Sequence, residues 1–165
     1  PRNAARALRY MDEFVTVSQG VVFYATEMLA QLEGMERGPA GNTSLAAAFV
    51  LAQSMDEDQV IVVQETEYTG AGKHPYAQLG MAKRMGVEVT SGDPADDAPG
   101  KRIVIPDHPS KMMVKDVPLE DIRRSYLSNV KKTAGGLSAL SGEDIRFLAE
   151  DTNSDEEFVK TILAD

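Results

Sequence analysis

The chain contains no cysteine, which excludes disulfides, thiolate zinc sites, iron–sulfur clusters and cysteine nucleophiles. Histidine is scarce, with only His74 and His108. Neither lies in a His-x-x-x-His or carboxylate spacing, so no metal site is expected. No apolar run approaches the roughly 18 residues of a membrane span, and the amino end is not a basic-then-apolar signal peptide. Internal repeats and low-complexity segments are missing as well. Positive charge is the minority sign: 17 basic against 26 acidic side chains give a formal net charge of -9. Such a field repels phosphate backbones and anionic bilayers, so neither nucleic acid nor membrane is an expected partner. A soluble protein with a cytoplasmic address is the expectation. The first residue is Pro1 rather than methionine; removal of an initiator methionine, or a cut from a longer chain, would give this start.

What is present suits a compact globular fold, since 165 residues at 42% hydrophobic content can bury a core. Asn3 to Tyr10 has the pattern of a short helix, leading into the strand-type run Phe14-Val15-Thr16-Val17. Ser18 offers an N-cap to a helix reaching about Met35, with Val21, Tyr24, Ala25, Met28, Leu29 and Leu32 at helical spacing. A second helix, Asn42 to Met55, is apolar almost all round, which predicts burial on most faces. Val60-Ile61-Val62-Val63 is a continuous β-branched run of the kind covered on both sides in a parallel sheet. Pro75 opens a helix to about Met85; Val87 to Thr90 and Arg102 to Ile105 are further strands around a solvated loop, 91–100. Helices are expected near Pro118 to Lys132, Ser141 to Glu150 and Ser154 to Leu163, with Gly135-Gly136 as a mobile linker. The order of elements predicts an α/β fold with a largely parallel sheet and flanking helices over residues 1–105, followed by a mostly helical extension over 106–165.

The segment richest in chemistry is Glu65-Thr66-Glu67-Tyr68-Thr69-Gly70-Ala71-Gly72-Lys73-His74-Pro75. It follows directly on a buried-type strand, and ligands in open α/β sheets bind beyond the carboxyl ends of strands. Gly70 and Gly72 would let a ligand approach the backbone, while Lys73 and His74 are candidate substrate contacts; an ordinary Gly-x-Gly turn fits the spacing equally well.

Thr69 to Pro75 resembles the Thr/Ser-Gly-x-Gly-x-Lys-x-Pro element of threonine synthases and tryptophan synthase β chains, shortened by one residue. Gly38 to Ala48 is similar to the "EPxSAxxLAA" segment of the same fold, with Gly38 in place of the family's glutamate. Phe14 to Ser18 matches its "VxVSDEE" step, with Gln19-Gly20 replacing the acidic pair. The likeness implies the carboxyl-terminal portion of a fold-type-II pyridoxal-phosphate enzyme. In that fold a hydroxyl residue meets the pyridine nitrogen, which tunes the ring as an electron sink. Thr69 takes this role by motif match and Thr66 by strand count, with Gly70 and Gly72 shaping the cofactor wall. The runs Gln64 to Pro75, Gly100 to Pro109 and Leu140 to Val159 further resemble the β subunits of a coenzyme A-dependent amino-acid thiolase of ornithine degradation. That resemblance implies thiolysis of 2-amino-4-oxopentanoate to alanine and acetyl-CoA, by an oligomer with a second subunit. Other readings are a threonine-synthase-like or diaminopropionate-lyase-like enzyme, and a non-enzymatic small-molecule-binding or subunit-interaction domain.

The family's Schiff-base lysine lies in an early "SxKxR"-type segment and its phosphate cradle is a longer glycine-rich loop; no lysine here has that setting. This segment is therefore expected to be inactive alone and to depend on the remainder of the same enzyme. Asp107-His108-Pro109-Ser110-Lys111 reads as a loop, because neighbouring residues cannot assemble a triad. Asp151, Asp155, Glu156 and Glu157 read as a helix start and solvated face.

Overall fold

The computed structural model describes residues 8–64 and 75–164. The chain forms two compact units, one of Val15–Lys115 and one of the amino-terminal residues through Phe14 together with the segment from Asp116 onward. None of the described helices is long and apolar enough to cross a membrane.

The first unit begins with β1 (Val15–Val17) and α1 (Gln19–Glu33). Ser18 is extended and its Oγ accepts from the Val21 amide at 3.5 Å, satisfying one of the donors a helix leaves open at its start. Val21, Val22, Phe23 and Ala25 are buried, so the first turns of α1 are enclosed on more than the expected stripe. Burial fades along the helix until Leu32 is 72% exposed, and Gly34 ends it in the left-handed conformation at φ 65°. Then follow α2 (Thr43–Ala52), α3 (Pro75–Arg84), β2 (Glu88–Gly92), β3 (Arg102–Pro106) and β4 (Val114–Asp116). β2 and β3 pair in parallel, with Val89 opposite Ile103 and Thr90 opposite Val104. β1 and β4 form a second two-stranded sheet, antiparallel.

α1 packs directly on β3, and the fit is made by a missing side chain. A Cβ at Gly20 would lie 2.5 Å from the carbonyl carbon of Val104 and closer still to its oxygen. Glycine at position 20 thus has a physical reason: nothing larger than hydrogen fits between helix and strand. The loop between β2 and β3 is ordered rather than merely solvated. Asp93 Oδ1 accepts from Ala95 N at 2.9 Å, starting a 3-10 turn over Pro94–Asp96, and Asp97 Oδ1 accepts from Val104 N at 3.1 Å.

Between α1 and α2 lies a buried polar pair. Asn42, wholly buried, donates through Nδ2 to Thr26 Oγ1 at 3.1 Å, and Thr26 donates in turn to Val22 O at 2.8 Å. Replacing Asn42 with Ala removes this donor and leaves a void. The expected loss of stability is about 1–3 kcal/mol, checked by denaturant unfolding; a loss under about 0.5 kcal/mol would show that water substitutes for the amide.

Two expectations are not met by the described residues of this unit. Val60–Val63 joins no strand ladder among them, and Val60 is 83% and Val62 92% exposed. A β-branched run supplies the propensity for a strand, but pairing needs neighbours, and the described residues provide none. α2 is likewise less enclosed than its composition implies, with Ala46 and Ala48 buried but Leu51 41% exposed.

The second unit is helical: α4 (Leu119–Ala134), α5 (Gly142–Thr152) and α6 (Glu156–Ala164) close around Leu127, Ile145, Leu148, Val159, Ile162 and Leu163. Gly135 does not begin a mobile linker. It is the left-handed stop of α4 at φ 90°, its amide returning to Lys131 O, and Gly136 leads into a 3-10 turn over Leu137–Ala139. Asp151 is a further correction: it is 4% exposed and lies 3.5 Å from the Arg9 guanidinium, which also donates to the Glu150 carbonyl. Asp155, by contrast, does start a helix, accepting from Phe158 N at 2.6 Å.

α5 opens with a reciprocal cap. Ser141 Oγ accepts from Asp144 N at 3.2 Å while Asp144 Oδ2 accepts from Ser141 N at 2.8 Å and from its hydroxyl at 2.6 Å. The Ser141 hydroxyl first, and its amide second, hold the Asp144 carboxyl below the ordinary value of 3.8. A carboxyl lowered on folding stabilises the fold above its unfolded pKa, and that contribution is lost as pH falls through the folded value. Acidification below the usual carboxylate range is thus expected to loosen α5, and Asp144→Asn to remove that part of the pH dependence. Carboxyl titration by NMR checks this; an unshifted Asp144 would count against the cap.

Candidate functional site

Thr66, Thr69, Gly70, Gly72, Lys73 and His74 lie outside the described residues. The structure does fix what flanks them. Ile61 and Val63 border, with Leu45, Ala48, Phe49 and Ala52 of α2, a groove of about 260 Å³. At its end Ser44 Oγ donates to the Gln64 carbonyl at 2.8 Å, pinning the departure of the threonine- and glycine-rich run to the first turn of α2. Pro75 receives the chain at the first position of α3.

The amino end of α2 has no side-chain cap, although Asn42 stands at the capping position. The reason is competition: the Asn42 amide is turned inward to Thr26. Among the described residues the Asn42 side chain therefore does not cap the first amides of α2. Sequence pattern alone did not disclose this, because the partner Thr26 lies on another helix.

Elsewhere in the first unit, Thr16, Ser18, Asp97 and Lys115 border a hollow of about 210 Å³ at the β1 to α1 step. His108 is a turn residue: its Nδ1 lies 2.8 Å from Ser110 Oγ and accepts from Ser110 N at 3.2 Å. Lys111 donates to Asp107 at 3.0 Å, which places the Asp107 carboxyl below its usual range and the lysine above its own. The triad-like string is thus a local turn, as its spacing implied. In the helical unit, Arg124, Lys131 and Lys132 border a hollow of about 580 Å³, where Arg124 is held by Glu120 at 2.6 Å and lies over the Phe158 ring at 5.1 Å.

A pyridoxal-phosphate site needs a lysine shielded from water for the aldehyde and a cluster of amide donors for the phosphate. Among the described residues no lysine is buried, and no cluster of three or more carboxylates or histidines could hold a metal.

Comparison with curated proteins shows similarity to an enzyme subunit of the thiolase class. Over all 165 residues the chain is 56% identical to a protein named 2-amino-4-ketopentanoate thiolase beta subunit, from an unknown prokaryotic organism. It is 52% identical over 163 residues, 99% of its length, to a protein of the same name from Acetoanaerobium sticklandii. The chain spans only about a third of these relatives, 35% and 34% of their respective lengths. No protein-family model matches the chain, and no solved structure is similar to it. The chain is thus similar, along its length, to one portion of each of these relatives.

Proposed function

We propose that this chain is a portion of the β subunit of a pyridoxal-phosphate-dependent thiolase that cleaves 2-amino-4-oxopentanoate with coenzyme A to alanine and acetyl-CoA. The observation that carries the reading is identity above one half, sustained over the full chain, to two proteins bearing that thiolase's name. The resemblance of the 65–75 run to the cofactor-binding element of fold-type-II enzymes supports the cofactor. Bound there, pyridoxal phosphate supplies an electron sink for the amino-acid carbon skeleton.

In this reading the chain's part is to position. Thr69, or Thr66 as its rival, contacts the ring nitrogen; Gly70 and Gly72 let the backbone approach the ring; Lys73 and His74 face the substrate. The Ser44 contact to Gln64 anchors the start of this wall. The lysine and phosphate cradle belong to the remainder of the enzyme, and a second subunit completes it.

The test uses the full-length subunit with its partner. Near-visible absorbance of bound cofactor is expected, together with coenzyme A-dependent formation of acetyl-CoA and alanine. Alanine at the threonine that meets the ring is expected to lower turnover at least about tenfold and to shift the absorbance, while alanine at the other leaves both unchanged. Absence of the absorbance would sink the cofactor assignment; ammonia release without acetyl-CoA would move the enzyme to the lyases.

A further inference from the structure

We infer that Val60–Val63 is an interior strand of the longer subunit, its free edge and outer face covered by the part of the same polypeptide that lies outside this chain. Side chains alternate across an extended backbone, so two neighbouring positions face opposite ways. Ile61 and Val63 turn toward α2 and are half-buried, while Val60 and Val62 point away and are 83% and 92% exposed. An extended segment at the rim of a finished sheet carries polar or charged residues on its outer side. Here the outer side is as apolar and β-branched as the inner one, the pattern of a strand buried on both faces.

The backbone agrees. Among the described residues, the main-chain groups of Val60 to Val63 have no hydrogen-bond partner; the nearest bonds are Gln59 N to Asp56 O and Ser44 Oγ to Gln64 O. A row of donors and acceptors without a partner among the described residues, between two valine-rich faces, is a template for strand addition.

The choice of occupant follows from the lengths. The relatives are matched along all of this chain, yet the match accounts for 35% and 34% of them. About two thirds of each relative is therefore further polypeptide, enough to supply both a pairing strand and a layer over the outer face. A second copy of this chain could pair edge to edge through the same run, but a two-fold contact of that kind leaves the outer valines in water. The inference rests on the chain being part of a longer subunit, and not on the reaction assigned to it.

The experiment is hydrogen–deuterium exchange on the full-length subunit, alone and with its partner subunit, at several concentrations. In the subunit alone, amides of Val60 to Val63 are expected to exchange at least about 100-fold more slowly than those of the exposed turn at Gln53–Asp58, independently of concentration. Exchange at the rate of that turn would overturn the inference. Protection that appears only as concentration rises would assign the edge to a second copy, and protection that needs the partner subunit would assign it there; both overturn it. Val62→Lys is expected to abolish soluble full-length subunit or this protection, while Val62→Ile retains both. A soluble Val62→Lys subunit with unchanged protection also overturns it. Catalysis is read separately, so loss of activity with protection intact would count against the proposed reaction alone.

Discussion

Gly20→Ala is expected to lower the stability of the protein by about 3 kcal/mol or more, and Gly20→Val to abolish the soluble folded protein. The size of the effect comes from what the new atom meets. It is backbone, the Val104 carbonyl in the middle of β3, and not the yielding tip of a long side chain. Relief requires α1 to lift from a strand whose Ile103 and Val104 are 6% and 2% exposed. Overpacking of a rigid contact costs about 1–3 kcal/mol or more, set against a total stability of only about 5–15 kcal/mol. Thermal unfolding followed by circular dichroism checks the result, with Gly142→Ala as control. Gly142 begins α5 and a Cβ there meets nothing within 4 Å, so that variant is expected to be neutral or slightly stabilising. Equal behaviour of the two variants would refute the close contact.

Leu127→Ala is expected to destabilise the helical unit by about 2–5 kcal/mol. Leu127 is fully buried in α4, among Ile145 and Leu148 of α5 and Val159, Ile162 and Leu163 of α6. Its removal takes apolar contacts from all three helices at once. The charged surface of the unit offers little compensation: the pairs Arg124–Glu120 and Lys160–Glu156 are substantially exposed, and such pairs contribute about 0–1 kcal/mol each. In urea the midpoint is expected to fall with the slope unchanged, while Leu127→Met loses less than about 1.5 kcal/mol. An alanine variant unfolding within about 0.5 kcal/mol of the parent would mean that the core collapses around the cavity.

Much of this architecture was legible because its causes are local. The helix capped by Ser18, the helix near Ser141 and the strands read at Val87–Thr90 and Arg102–Ile105 announce themselves through cap residues, glycine stops and β-branched runs within a few residues. What escaped the sequence depends on distant neighbours. Asp151 looks like solvent-facing charge until Arg9, 142 positions earlier, is brought beside it. Asn42 reads as the polar start of a helix until Thr26 takes its amide. Val60 to Val63 shows the converse, since the run states what it requires and the described residues do not provide it. The candidate site is the least settled part, for its threonines and glycines lie outside the described residues and only the anchors at Ser44 and Pro75 frame them.

The two ends of the Val15–Lys115 unit leave the chain side by side. Val117 N donates to Phe14 O at 2.8 Å, and β1 and β4 pair next to that bond. In the topology of the chain, the helical unit is therefore interrupted by an insertion whose boundaries are already joined. The closure entropy of the intervening hundred residues is met at the junction itself. Changes in the length of the inserted segment are therefore expected to cost the helical unit little stability, as a clasped loop accepts a longer thread.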